Sequence, residues 1–286
     1  MSRDAAFMEL ALAGESATRA DFEAYLVAFH AAHPDATERV YDVFAKAGGI
    51  DPYDRLALAL ARTGKAELLD IGCGGGALLE RFLRRVPTAR VSGIDLSPDE
   101  IVRARKRIPK DRVRRLDTGN ANALLFADAS FDVVTSHMVF MLLPDVAPAF
   151  AEIRRVLAPG GALTFLVGRP PDAGDPTAAI LGAIPEWIRE THASFVAADP
   201  GDPRMRGRES ISATLAEAGF DAIAFDDFVV DATLSPEEMW ETVERRYYAG
   251  SLAPDETQAL RARLFERLGG RPHSYRDHLR IVEARG

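Results

Sequence analysis

Glu67-Leu68-Leu69-Asp70-Ile71-Gly72-Cys73-Gly74-Gly75-Gly76-Ala77-Leu78-Leu79 decides how this chain folds. Its first half is a short apolar run, the pattern of a strand buried on both faces. Its second half is glycine-rich and leads into Ala77 to Val86, where apolar residues recur at helical spacing. Strand, glycine turn and helix open a doubly wound nucleotide-binding fold. Gly72 and Gly74 lack a Cβ, so the backbone can turn sharply and a ligand can lie against it. The helix that starts near Gly76 offers free N–H groups at the same place. A dinucleotide fingerprint would space its glycines G-x-G-x-x-G, but here the third comes early. Asp70 stands two residues before the first glycine, at the end of the strand. A carboxylate there repels a pyrophosphate and attracts an ammonium or sulfonium group.

Asp70, Gly72, Gly74 and Gly76 complete the pattern acidic-x-G-x-G-x-G. The stretch therefore resembles motif I of the class I S-adenosylmethionine-dependent methyltransferases. The resemblance extends from about Tyr41 to Val167. It implies that S-adenosylmethionine is the cofactor, that S-adenosylhomocysteine is the product, and that Asp70, Gly72, Cys73 and Gly74 line the cofactor.

The chain downstream supplies the remaining parts. Arg90 to Asp95 reads as a second strand ending in an acidic residue, and one carboxylate can accept from two ribose hydroxyls. Gly93-Ile94-Asp95-Leu96-Ser97 matches the family closely, which implies that Leu96 packs on the adenine. Ser97 is the natural cap of the following helix, leaving Asp95 for the ribose. Gly119-Asn120-Ala121-Asn122-Ala123-Leu124-Leu125-Phe126 is similar to the family's G-D-A-x-x-L-P-F segment. That segment implies an adenine contact by the Asn120 side chain and the Ala121 N–H. The chain departs from the pattern twice: Asn120 replaces the usual Asp, and Leu125 the proline. An asparagine carbonyl can still accept from the adenine amino group. Ser130 to His137 is the fourth strand, and its end, with Ser136 and His137, matches the region where the cofactor's methionine end meets the substrate. Pro159-Gly160-Gly161 is a turn into a fifth strand, Ala162 to Val167.

Strands and helices alternate from Glu67 onward, so the fold class is α/β. The expected core is a Rossmann-like, mostly parallel seven-stranded sheet with the last strand antiparallel. Residues 1–63 read as four helices that such a sheet does not need. They are a cap, an oligomer interface that would give a homodimer, or both. Within them Val40 to Phe44 resembles the segment that many small-molecule methyltransferases fold over the cofactor. That makes Tyr41 a cofactor candidate, with a buried core tyrosine as the alternative. Residues 64–286 form the cofactor domain, with helical insertions at 170–218 and 235–270. Ser235-Pro236-Glu237-Glu238 is a capping box with proline at the first helical position. The insertion it opens precedes the last strand, His278 to Ala284, and with the N-terminal helices could form a lid.

Composition excludes several classes. The chain has 286 residues, a net charge of −8 and a pI near 5.4. That balance disfavours non-specific binding to nucleic acid. The basic run from Arg103 to Arg115 reads as a solvated face at a helix C-terminus. Cys73 is the one cysteine, which fits a reducing, cytoplasmic setting and serves as a small turn residue rather than a nucleophile. No apolar run reaches membrane-spanning length, so no membrane insertion is expected. No metal site is legible.

Methyl transfer from a sulfonium needs an acceptor held in line, exclusion of water and, where the acceptor must lose a proton, a base. His137 is the candidate general base; the alternative is a histidine in the pocket wall. Glu186, His192, Tyr247 and Tyr248 are further candidates from the insertions. Met138, Phe140, Met141, Trp187 and Trp240 offer soft apolar walls to a small acceptor. The expected activity is methylation of a small, partly apolar, natural-product-like metabolite, oxygen being favoured over nitrogen or carbon. The competing readings are a nicotinamide-dependent oxidoreductase and a protein that binds S-adenosylmethionine without turning it over.

Overall fold

β1 (Glu67–Ile71) forms because four consecutive apolar or buried positions follow Glu67, and all four lose their solvent exposure. It is the third strand across a seven-stranded sheet in the order β3-β2-β1-β4-β5-β7-β6. The other strands are β2 (Arg90–Asp95), β3 (Val113–Thr118), β4 (Phe131–His137), β5 (Leu157–Gly168), β6 (Ala222–Leu234) and β7 (His273–Arg285). β1 pairs in parallel with β2 and β4, β2 with β3, and β4 with β5, while β7 runs antiparallel to β5. The expected Rossmann-like sheet with an antiparallel last strand is thus the observed one. The computed structural model describes residues 3–64, 66–175, 177, 180, 182–194 and 201–286.

The described helices are α1 (Arg3–Ala13), α2 (Arg19–Ala32), α3 (Ala36–Lys46), α4 (Pro52–Arg62), α5 (Ala77–Arg85), α6 (Pro98–Arg107), α7 (Ala147–Val156), α8 (Ala183–Thr191), α9 (Arg208–Glu217), α10 (Pro236–Val243) and α11 (Pro254–Leu268). Part of the helix expected over Thr177 to Glu190 lies outside the described residues, as does the start of the loop expected from Asp199. No helix among the described residues is long and apolar enough to cross a membrane.

The chain divides into two units. One contains Pro52–Pro170, Pro200–Phe228 and His278–Gly286, and the other Met1–Asp51, Pro171–Asp199 and Val229–Asp277. α4 belongs with the sheet, although the sequence division ran to residue 63. Leu56, Ala57 and Leu60 explain this, since all three are completely buried on that helix. On one sheet face Leu69, Ile71, Val134 and Phe165 join Phe150 and Ile153 of α7 and Ile211 and Leu215 of α9 in one apolar cluster. By alternation Asp70, Thr135 and His137 point to the other face.

β6 and β7 are longer than their apolar stretches predict. Charged cross-strand pairs extend them: Arg280 with Asp227 at 2.6 Å, and Arg276 with Asp231 at 2.9 Å. The loop before α9 is also better anchored than its composition implies. Asp202 is buried, accepts from the Val146 N–H at 3.1 Å, and donates its own N–H to the Leu143 carbonyl at 2.7 Å. In the other unit, the rings of Phe7, Phe22, Tyr25 and Phe29 pack together, Phe7 stacking on Tyr25, and the Tyr25 hydroxyl donates to the Tyr247 carbonyl at 2.5 Å.

Candidate active site

The turn after β1 is tied to β2 through its backbone. The N–H groups of Gly72 and Cys73 both donate to the Ile94 carbonyl, at 2.8 and 2.9 Å. Gly72, Gly74 and Gly76 have φ of +68°, +50° and +85°, where an L side chain is strained. At Gly72 an added Cβ would lie 2.2 Å from a Val139 methyl. At Gly74 it would meet only the Glu100 carboxylate, at 3.8 Å, so the turn opens into free space there. Cys73 is buried against Gly93, where a Cβ would approach its sulfur to 2.7 Å. Burial, with Asp70 and Asp95 nearby, pushes its thiol well above the usual range, so it is an inert packing group.

Three carboxylates surround this turn. Asp70 is buried, and its Oδ1 has no hydrogen-bond partner among the described residues. Burial first, and the charge of Asp95 second, raise its pKa well above the usual carboxylate value. Asp95 accepts from the Gly74 N–H at 2.8 Å and from the Ser97 N–H at 2.9 Å. Ser97 caps α6, its hydroxyl accepting from the Glu100 N–H at 3.4 Å. Glu100, buried and paired with Arg103, is the third carboxylate, and in sequence nothing distinguishes it from any first-turn helix acid. The basic run that follows is dispersed in ion pairs, for example Arg105 with Asp117 at 2.9 Å and Arg107 with Glu80 at 4.0 Å.

The loop after β3 holds a second surprise. Its Gly119 N–H donates to the Asp95 carbonyl at 2.9 Å, which sets the loop beside the acidic strand end. The Asn120 carbonyl oxygen accepts from the Asn122 N–H at 3.0 Å, a local turn. The Asn122 side chain keeps both its oxygen and its nitrogen buried and without a hydrogen-bond partner among the described residues. Ala121 is buried and Leu96 half-buried.

The end of β4 is aromatic. His137 is buried and stacks on Tyr53 of α4, rings 3.8 Å apart and inclined by 9°. The Arg81 guanidinium lies 5.1 Å from the same tyrosine ring. Burial, reinforced by Arg81, lowers the His137 pKa to about 3. The imidazole is therefore neutral at physiological pH and a weak proton acceptor. Ser136 points to the opposite face and donates to the Ile71 carbonyl at 2.9 Å, bracing the strand from which the glycine turn departs. Met138 follows with φ +63°, a strained bend at the strand terminus. Asp145 accepts from the Ala147 N–H at 3.1 Å, in the first turn of α7.

The remaining candidates lie in the other unit. Tyr41 is buried, with its hydroxyl donating to Asp277 at 3.1 Å. His192 faces Glu256 at 2.7 Å, Glu186 pairs with Arg267 at 3.0 Å, and Trp240 is buried. Among the described residues no cluster of three or more His, Cys, Asp or Glu could hold a metal ion.

A buried carboxylate with one oxygen lacking a hydrogen-bond partner among the described residues, a second carboxylate at the end of β2 and a glycine turn that opens outward fit a cationic ligand bearing hydroxyls. Comparison with known proteins points the same way. Residues 69–165 match the methyltransferase-domain family. The chain is 31% identical over 208 residues to the malonyl-[acyl-carrier protein] O-methyltransferase of Geobacter sulfurreducens, covering 69% of this chain and 72% of that protein. This chain is a class I S-adenosylmethionine-dependent methyltransferase. The methyltransferase is also 39% identical over 134 residues to the ubiquinone/menaquinone biosynthesis C-methyltransferase of Paracoccus denitrificans, where the match covers 44% of this chain and 53%, about half, of that protein. Its fold matches the YcgJ protein of Bacillus subtilis with a TM-score of 0.55 at 17% identity, covering 81% and 97% of the two chains. It also matches the [4+2]-cyclase SpnF with a TM-score of 0.51 at 22% identity, covering 81% and 80%. S-adenosylmethionine is the cofactor of this methyltransferase.

Proposed function

We propose that this methyltransferase transfers its methyl group to a small acceptor of specialised metabolism, with oxygen as the receiving atom. The observation that carries the cofactor half of this reading is Asp70, a buried carboxylate with an orphaned oxygen at the mouth of the glycine turn. Among the described residues its Oδ1 has no hydrogen-bond partner, and a bound ammonium or sulfonium would balance its charge. The same group opposes a dinucleotide, whose pyrophosphate would meet Asp70, Asp95 and Glu100 together. Oxygen is supported by the O-methyltransferase among the relatives, although a C-methyltransferase is also among them.

Bound S-adenosylmethionine supplies a methyl group already activated by its sulfonium charge. The chain's own work is to bind and orient. Asp95, fixed by the Gly74 and Ser97 N–H groups, is the carboxylate that accepts from the ribose hydroxyls. Leu96 and the Ala121 N–H address the adenine. Asn122, with a donor and an acceptor both unspent, is better placed than Asn120 to read its edge, because Asn120 spends its oxygen on the turn. Ser136 holds the floor of the site in register. His137 we assign to the wall beside Tyr53, and proton removal falls to the acceptor's own acidity or to bulk water. The protein works in the cytoplasm, and self-association through α1 to α3 is open to light scattering.

A second reading is a protein that binds the cofactor without consuming it, since every group around the glycine turn would serve that role as well. A metabolite screen with methyl-labelled S-adenosylmethionine decides. Labelled product together with S-adenosylhomocysteine supports methyl transfer. Tight cofactor binding with no S-adenosylhomocysteine from any acceptor would overturn it.

A further inference from the structure

Three arginines gather at β5 and β7, away from β1 in the sheet order. Arg169 is the first residue after β5. Arg280 on β7 lies opposite Val167 in the register, and Arg208 opens α9. All three converge on a single carboxylate, Asp227. Arg280 grips both of its oxygens, at 2.6 and 2.8 Å, Arg208 reaches it at 3.0 Å, and Arg169 at 3.9 Å. Arg280 alone satisfies the carboxylate, so Arg208 brings positive charge beyond what Asp227 balances. The neighbouring carboxylate cannot supply the balance, since Asp226 is held by Arg55 at 2.9 Å. Glu209 is exposed in the first turn of α9.

The cluster is also preorganised. Phe225 lies beneath it, with the Arg208 and Arg280 guanidiniums 5.5 and 5.6 Å from its ring. Side-chain exposure grades from 8% at Arg280 and 14% at Arg169 to 53% at Arg208, so a fixed inner cation meets an accessible outer one. Its place matters as well. A Cβ on Gly168, next to Arg169, would lie 3.5 Å from the Met141 methyl and 3.8 Å from that of Met138. Met138 directly follows His137. The cluster therefore borders the reacting end of the sheet, beyond the carboxyl ends of the parallel strands, where ligands of such sheets bind.

We propose that Arg169, Arg208 and Arg280 form an oxyanion subsite that seats an acidic acceptor, a carboxylate or a phosphate ester, at the end of β5. This rests on the methyltransferase reading and narrows its acceptor to an acid. Planar guanidinium forks match both oxyanions and grip them bidentately. A purely structural role for the cluster needs only Arg280 and Asp227.

The test uses the full chain, labelled with nitrogen-15 and saturated with S-adenosylhomocysteine. Benzoate and phenyl phosphate are titrated separately while the arginine Nε–H signals are followed, with benzamide as the neutral control. One or both anions should shift signals saturably, and whichever binds tighter identifies the acceptor's acid. Benzamide should shift none. Arg208→Gln, at a half-exposed site, should weaken anion binding about tenfold, the loss of one charge-assisted hydrogen bond. Its affinity for S-adenosylhomocysteine should stay unchanged. Absence of shifts with both anions, or equal binding by the variant, overturns the subsite. Failure of the methyltransferase reading would show separately, as absence of S-adenosylmethionine uptake in calorimetry.

Discussion

The two ends of the sheet's carboxyl edge differ in sign. At β1 and β2 three carboxylates, Asp70, Asp95 and Glu100, crowd the glycine turn. At β5 and β7 three arginines reach Asp227, whose carboxyl Arg280 first and Arg208 second hold down at about 2. The first end suits a cationic donor, the second an anionic acceptor. Opposite charges bound at the two ends would attract across the gap where the methyl group passes. The fold therefore sorts its ligands by charge before any catalytic group acts. That is an economical scheme for a reaction whose activation is carried by the cofactor.

Breaking the acidic end should cost most at Asp95. Asp95→Ala removes the acceptor for the Gly74 and Ser97 N–H groups and, on the proposed reading, for the ribose hydroxyls. Calorimetry should show S-adenosylmethionine affinity lower by roughly 100-fold, about two charge-assisted hydrogen bonds. Unchanged affinity would remove Asp95 from the site.

Asp70→Asn sharpens the comparison, because affinity and stability should move in opposite directions. The isosteric amide removes the charge that faces the donor, and binding should weaken about tenfold. The empty protein should melt at a higher temperature, since a buried, repelled carboxylate has been neutralised. The sign follows from its pKa, raised above the usual value of 3.8. The native state binds its proton more tightly than the unfolded state, so this group's contribution to stability falls as pH rises through that window. A lower melting temperature for the variant would show that Asp70 has a structural partner.

How much of this was legible follows from distance along the chain. Asp70, Gly72, Gly74, Asp95 and Ser97 lie within 28 consecutive residues, and local turn chemistry joins them. The parallel part of the sheet follows from the alternation of strands and helices, and the antiparallel last strand only from the family resemblance. Tyr53 on His137 was not legible, because a helix residue and a strand end meet only once α4 has packed. Nor was the arginine cluster: Arg169, Arg208, Asp227 and Arg280 belong to four separate elements, and each reads alone as a surface charge. Asn122 carried no signal beyond its place in the adenine loop. One clue was available for Arg280: it interrupts the apolar pattern of a strand otherwise buried from His278 to Ala284 apart from Glu283.

The smallest effect should come from the residue between the two ends, His137. Were it the base, His137→Asn would cost the 10²- to 10⁴-fold of general-base catalysis. Its stacked, buried ring beside Arg81, with a pKa of about 3, predicts less than about tenfold. The kcat profile between pH 5 and 8 should then keep its shape in the variant. Stability supplies the second readout. The unfolded histidine takes up a proton below its usual value of 6.5, and the native one only near 3. The unfolded state thus binds more protons across that interval, and wild-type stability drains away as pH falls from about 6.5 toward 3, at up to about 1.4 kcal/mol per unit. This slope runs opposite to that of Asp70. Urea unfolding at pH 7 and pH 5 should show His137→Asn losing less stability than the wild type over that step. An equal loss in both proteins, or a kcat collapse with cofactor affinity intact, would return His137 to the role of base and place a proton acceptor between the acidic and basic ends.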